Sequence, residues 1–283
     1  MDLRYMFSYN KSLRFLITSI GLILAININA SEKPHFIGSL KQGGLVLGEL
    51  GEGETVSYQG KVLKLNDKRQ FLLGFGRNQP PTAEIIVHHK SGDTKITLNI
   101  ASREYAVQKI EGVPQKTVTP SDQDLKRIKQ DAALVREARR LRRDKDDFTA
   151  GFTQPAYGTI TGVYGSQRFY NGVPKSPHYG IDYAAPTGTP VIAPAAGVIS
   201  LVHADMFYSG GTMILDHGHG LSSTFLHLSE ILVEQGQSVS AGMVIAKIGA
   251  SGRATGPHLD WRMNWLDQRI DPQLVLETLP APK

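Results

Sequence analysis

Outside one stretch near its middle, this chain does not sustain a helical period, and that limits its fold more than any other feature. From Ser31 to Val118 the apolar residues come in strand-length runs: Gly44 to Leu47, Lys61 to Leu65, Phe71 to Phe75, Glu84 to Val87 and Thr94 to Ile100. Turn signals such as Gly51-Glu52-Gly53, Asn66-Asp67 and Ser91-Gly92-Asp93 separate them. From Phe152 onward the runs are Thr159 to Tyr164, Thr189 to Ile192, Val198 to His203, Thr212 to Asp216, Ser223 to His227, Ser238 to Ser240 and Met243 to Ile248, with Gly and Pro closely spaced between them. The pattern predicts a mainly β chain, with a small N-terminal β domain and a compact antiparallel β sandwich or barrel after it.

The exception begins at Ser121. This residue is placed as an N-cap, with Asp124 three residues on, where its carboxylate meets the positive end of the helix dipole. Leu125, Ile128, Ala132, Val135, Ala138 and Leu141 then recur every three or four residues and form one apolar stripe. Eight Lys and Arg side chains between Lys126 and Arg143 cover the other faces, diluted by seven Asp and Glu between Asp122 and Asp147. That mixture fits a solvated connecting helix better than a nucleic-acid arm.

The first thirty residues have the layout of a signal peptide: Arg4, Lys11 and Arg14, then the apolar run Phe15 to Ile26, then a small residue at Ala30. The run is short of the roughly 20 residues that span a bilayer, so no membrane span is expected after cleavage. The chain has no cysteine, which excludes thiol catalysis and thiolate metal ligands and leaves stability to packing and any metal. Apolar residues at 41% and charged residues at 20% are the proportions of a globular protein, not of a disordered one. The net charge of +5 falls to about +3 without the leader's three basic groups and Asp2. That suits an anionic envelope polymer and is too weak for a nucleic-acid partner.

The chemistry-bearing residues concentrate in the C-terminal half. His178 and Asp182 stand four apart in Pro-His-Tyr-Gly-Ile-Asp-Tyr, and His258 and Asp260 two apart in Gly-Pro-His-Leu-Asp-Trp. In extended chain both even spacings put imidazole and carboxylate on one face, where they can share a cation. One such pair alone is more often a surface hydrogen bond; with His227 the two pairs make a site. His217 and His219 belong to a turn, His88 and His89 point to opposite faces of a strand, and His203 ends a strand. None of these is expected at a metal.

Residues Phe152 to Pro272 resemble the lysostaphin-type zinc endopeptidases of cell-wall turnover, the M23 or LytM-like family. The motifs come in the family's order. They are His178-x-x-x-Asp182-Tyr-Ala-Ala-Pro-x-Gly-Thr-Pro-Val, Ala193-Pro-Ala-Ala-Gly-Val, Asp216-His217-Gly, Phe225-Leu226-His227-Leu228-Ser229, Val233 to Val239, and Gly249 to Leu259. Several motifs in order are far more specific than any one. The β segment before them resembles the domain that precedes the peptidase in one subgroup. Together these readings divide the chain into a signal peptide over 1–30, an N-terminal β domain over 31–118, a connecting helix over 119–147 and an M23-like peptidase domain over 148–283. The resemblance implies that His178 and Asp182 bind zinc, while His227 and His258 act on the water or the transition state. The family's third ligand is the second histidine of a His-x-His; Asp260 stands there, and aspartate is itself a zinc ligand. The implied substrate is peptidoglycan, cut in its cross-links or stem peptides by an exported, periplasmic or envelope-associated enzyme, with control by another protein left open.

Two other readings compete. A degenerate M23 module would bind cell wall or activate another wall hydrolase without catalysis, but such modules lack several site residues and here one position differs. Val191 to Val198 and Val239 to Ala246 also echo the paired hairpins of biotinyl and lipoyl carriers, yet Ala195-Ala196 stands where a carrier needs its lysine.

Overall fold

Seven strands build the floor on which the site stands, and their sequences say why. The computed structural model describes residues 34–113 and 115–281; the leader expected over 1–30 lies outside them. The central sheet runs in the order Ser238–Val239, Gly197–Met206, Gly210–Asp216, Leu221–Ile231, His258–Trp265, Gly180–Ala184, Thr159–Gly162, with every neighbouring pair antiparallel. Val244–Ile248 also pairs with Leu221–Ile231 and carries Pro190–Ile192, and Gln268–Ile270 pairs with His258–Trp265.

The strand His258–Trp265 reads HLDWRMNW, a strict alternation. Its odd positions, Leu259, Trp261, Met263 and Trp265, are buried in the core with Phe225, Ile181 and Tyr183. Its even positions, His258, Asp260, Arg262 and Asn264, therefore face the other way, because successive side chains on a strand alternate.

The N-terminal segment folds as two small sheets. One holds His35–Gly38, Leu45–Glu49 and Gln70–Gly74; the other holds Lys61–Val62, Thr55–Tyr58, Thr82–His89 and Gly92–Asn99. Their apolar residues join the same core cluster as the central sheet, which runs from Leu45 to Leu279. Trp265 is the hinge pin of this shared core: a Cβ on Gly74 would lie 2.9 Å from its Cβ, and the Tyr58 ring centroid is 6.2 Å from its own. A third sheet links the segments through the parallel pairing of Val107–Ile110 with Gln167–Tyr170.

The helix covers Asp122–Ala138, shorter than the stretch 119–147 over which a connecting helix is expected. Ser121 and Asp124 form a reciprocal capping box at its start. Past its end Arg143 turns away to bind the Asp216 carboxylate at 2.6 Å and Asp147 at 2.7 Å, tertiary contacts that a continuing helix would forgo. The apolar stripe is used only at its C-terminal end, where Val135 and Ala138 pack on Leu201, Met206 and Ile214; Leu125 and Leu134 stay exposed.

Candidate metal centre and active-site cleft

Register fixes the site before any side chain is considered. Asp182 lies directly opposite Asp260, and Asp260 opposite Leu226, so the two aspartates share one face of three adjacent strands. Arg262 lies opposite Gly180 on one side and Thr224 on the other. Two glycines make room for this crowding. A Cβ on Gly162 would come within 2.2 Å of Asp182 Oδ2, and one on Gly180 within 2.4 Å of Asp260 Oδ1.

His178 enters from the loop before Gly180–Ala184, tied down by its backbone N–H to the Ser166 carbonyl at 2.8 Å. Its side chain is buried, with Nε2 3.1 Å from Asp182 Oδ1 and Nδ1 3.9 Å from Asp260 Oδ2. His178 Nδ1 has no hydrogen-bond partner, and Nε2 and Asp182 Oδ1 face only each other without a well-aligned hydrogen bond. Donor atoms of His178, Asp182 and Asp260 all lie within 4.8 Å of one another, and this is the one such buried His/Asp group among the described residues. Buried donors left without hydrogen bonds, of the nitrogen and oxygen types that zinc accepts, fit a metal.

Two arginines complete the surroundings. Arg168 Nη2 donates to Asp182 Oδ2 at 2.6 Å, leaving Oδ1 free toward His178. Arg262 Nε donates to both oxygens of Asp260 at 3.0 and 3.1 Å, and its Nη2 to Oδ2 at 2.5 Å. Burial, the largest single influence, pushes the Asp260 carboxyl up, but the charge and hydrogen bonds of Arg262 together with His178 and His227 hold the group well below the usual carboxylate range. Asp182 is also held low: burial and the charge of Asp260 push upward, and His178 and Arg168 prevail.

A β-bulge brings in the remaining histidine. Strict alternation would put His227 on the core face with Phe225, but the pairing with Gly210–Asp216 shifts register between Gly211 and Met213. His227 there takes a left-handed backbone, φ 64°, and lines the cleft instead. Its Nδ1–H donates to the Ser251 carbonyl at 2.7 Å, which leaves Nε2 as the unprotonated nitrogen. His258 Nδ1–H donates to the Gly256 carbonyl at 2.8 Å, which leaves Nε2 outside that bond, and the two rings lie 4.7 Å apart. Burial pushes His227 down to about 4, so it is neutral at pH 7.

The other histidines stand apart. His217 is fully buried, with Nδ1–H donating to the Ala196 carbonyl and Nε2 accepting from Ser223 Oγ. His219 packs on Phe148, His88 and His89 bind Asp93 and Glu54, and His203 accepts from the Asp205 backbone. A cleft of about 950 Å³ runs over the site, with the helix Asp122–Ala138 lining one side through Ile128, Ala132 and Val135. Sequence reasoning overlooked the arginines. Arg262 was open to it, as the next even position after His258 and Asp260; nothing local marks Arg168.

Residues 176–272 match the model of peptidase family M23. The chain is similar to a crystal structure assigned to peptidase M23 from Pseudomonas aeruginosa, with a TM-score of 0.68 and 30% identity, covering 86% of this chain and 97% of that one. The chain belongs to peptidase family M23. Among curated M23 relatives, a peptidoglycan DD-endopeptidase of Vibrio cholerae is 42% identical over 88 residues, 31% of this chain and 20% of its own length. A DD-carboxypeptidase/endopeptidase of Neisseria meningitidis is 42% identical over 106 residues, 38% of this chain and 24% of its own length. The chain thus spans about a fifth to a quarter of these two M23 relatives.

Proposed function

We propose that this M23 chain is an exported zinc endopeptidase that hydrolyses peptide cross-links or stem peptides of peptidoglycan in the periplasm or cell envelope. The carrying observation is the buried trio His178, Asp182 and Asp260, whose His178 nitrogens and Asp182 Oδ1 make no well-aligned hydrogen bond. These three residues would hold the zinc. When bound, zinc supplies a Lewis acid that polarises the scissile carbonyl and lowers the pKa of a water toward roughly 7. Arg168 orients Asp182 from behind, as the outer partner of a ligating carboxylate does. In the neutral ring, His227 and His258 each keep Nε2 as the acceptor nitrogen, so either can take the proton of an attacking water and return it to the leaving amine. The wall peptidases of Vibrio and Neisseria support the substrate class.

One observation favours a non-catalytic wall-binding module instead. Arg168 and Arg262 already balance both carboxylates, so a dication meets a site near neutrality. Zinc content together with digestion of purified peptidoglycan separates the two. About one zinc per chain, and muropeptide release that His178→Ala abolishes, is the expected result. A chain that holds no zinc and cuts nothing while still sedimenting with the wall is the module. Asp260→His, which restores the family's usual ligand, then reports whether the aspartate tunes the site.

A further inference from the structure

The cleft carries far more positive charge than its aspartates balance. Eight arginines and one lysine line it against three aspartates. Asp260 is fully engaged by Arg262, Asp131 accepts the Phe207 N–H, and Asp267 faces Lys61. Arg136 and Arg142 are exposed to solvent, whereas Arg139 and Arg269 are half-buried in the cleft. Among the described residues no carboxylate lies within ion-pair distance of either. Arg139 Nη2 donates to Thr224 Oγ1 at 3.1 Å, and its Nε is buried without a partner. Arg269 has only the face of the Tyr179 ring, 5.4 Å from its guanidinium carbon.

Register puts these groups together. Arg269 lies opposite Asn264, which shares the face of Arg262, and Thr224, which anchors Arg139, lies opposite Arg262. The three guanidinium groups therefore converge on one patch beside the carboxylates of the trio. Such an arrangement is unfavourable for the free chain: burial and the charges of Arg269 and Arg262 push Arg139 well down, and burial and Arg262 push Arg269 down to about 10. Buried cations without counter-charge are costly, and a partly buried guanidinium fork is suited to gripping a carboxylate through two N–H groups.

We infer that Arg139 and Arg269, beside the Asp260-bound Arg262, form an anion subsite in the cleft that binds a free carboxylate of a peptide ligand. The identity of that ligand as a wall peptide rests on the endopeptidase reading; the anion subsite itself does not. Within that reading the subsite would select peptides ending in, or branching to, an unblocked carboxylate.

The test is binding rather than turnover, on the full chain both zinc-loaded and EDTA-treated. The probes are N-acetyl-Lys-D-Ala-D-Ala with a free C-terminus and the same peptide as its C-terminal amide, titrated calorimetrically, with inorganic phosphate as competitor. The acid is expected to bind at least about 10-fold more tightly than the amide. Arg139→Gln and Arg269→Gln should each reduce the acid toward the level of the amide and leave the amide unchanged, while Arg139→Lys restores part of the difference. Melting temperatures within a few degrees of wild type show that the variants fold, and either variant alone suffices if the other does not. Equal binding of acid and amide, no binding of either, or a preference that survives both substitutions overturns the subsite. So does a preference that vanishes on EDTA treatment, since a metal would then be holding the carboxylate. Phosphate displacing the acid at equal concentration, with the same sensitivity to both arginines, replaces the peptide by free phosphate as the ligand. Failure of the endopeptidase reading shows instead as undigested peptidoglycan, a readout in which this preference plays no part.

Discussion

Asp260 and Arg262 stand two residues apart on one strand, and the aspartate keeps only 1% of its side chain exposed while the arginine keeps 24%. Removing the guanidinium leaves a carboxylate buried without its main partner. Arg262→Leu is therefore expected to lower the unfolding free energy by about 3 to 5 kcal/mol, read from urea denaturation. The double change Asp260→Leu with Arg262→Leu should cost less than Arg262→Leu alone; if it costs more, packing rather than charge pairing sets the penalty. Gly162 acts on the same site by leaving room. Its missing Cβ is the space that Asp182 Oδ2 and Arg168 Nη2 occupy, and its backbone is not left-handed. With zinc held as proposed, Gly162→Ala is expected to displace the Asp182 carboxylate and reduce zinc retention on dialysis by about 10-fold or more. Gly256→Ala, where a Cβ meets nothing within 4 Å, is the control that should retain metal.

At the scale of elements, the helix Asp122–Ala138 is a wall of the cleft held by few contacts. None of its residues is buried, and only its C-terminal turn packs on Leu201, Met206 and Ile214. The capping box at Ser121 closes its N-terminus, while Arg127 on Asp205 and Asp131 on the Phe207 N–H tie its middle to the body. Ser121→Ala should weaken the helix by about 1 kcal/mol, visible as faster amide exchange from Asp124 to Ile128 with the sheet unaffected. Uniform acceleration across the sheet would show that the helix opens only with the whole fold. The bulged strand Leu221–Ile231 does the opposite work: it accepts a left-handed His227 so that one imidazole crosses from core to cleft.

For the molecule as a whole, core continuity and buried histidines set the stability. Trp265 packs where the N-terminal strands meet the central sheet, so Trp265→Ala should cost about 3 to 5 kcal/mol and leave one unfolding transition by both fluorescence of Trp261 and circular dichroism. Two separated transitions would mean that the segments hold themselves independently. His217 gives a pH dependence. Burial pushes it from the ordinary 6.5 down to about 4 in the fold. The unfolded chain takes the proton first as pH falls, so stability is full above about 6.5 and declines toward pH 4. The loss is on the order of 3 kcal/mol from this group. His227 acts in the same direction. Urea midpoints at pH 7.5 and 4.5, in wild type and in His217→Asn, check it; an unchanged pH slope in the variant assigns the effect elsewhere.

The strand periods and turn signals, the capping box at Ser121 and the ordered motifs from His178 to Leu259 are local facts, and the sequence alone determined the mainly β class and the M23 family from them. It also put His178 with Asp182 and His258 with Asp260, because a period of two is written along a single strand. What pairs across strands was not legible. That Asp182 faces Asp260, that Arg168 reaches Asp182 from another sheet, and that Arg139 and Arg269 meet beside Arg262 depend on register and on helix placement. His227 turned toward the cleft for a similar reason, since a one-residue bulge reverses the face of every side chain it touches. These were decided by tertiary structure because the free energy of each such contact belongs to two distant segments at once, and neither segment carries it alone.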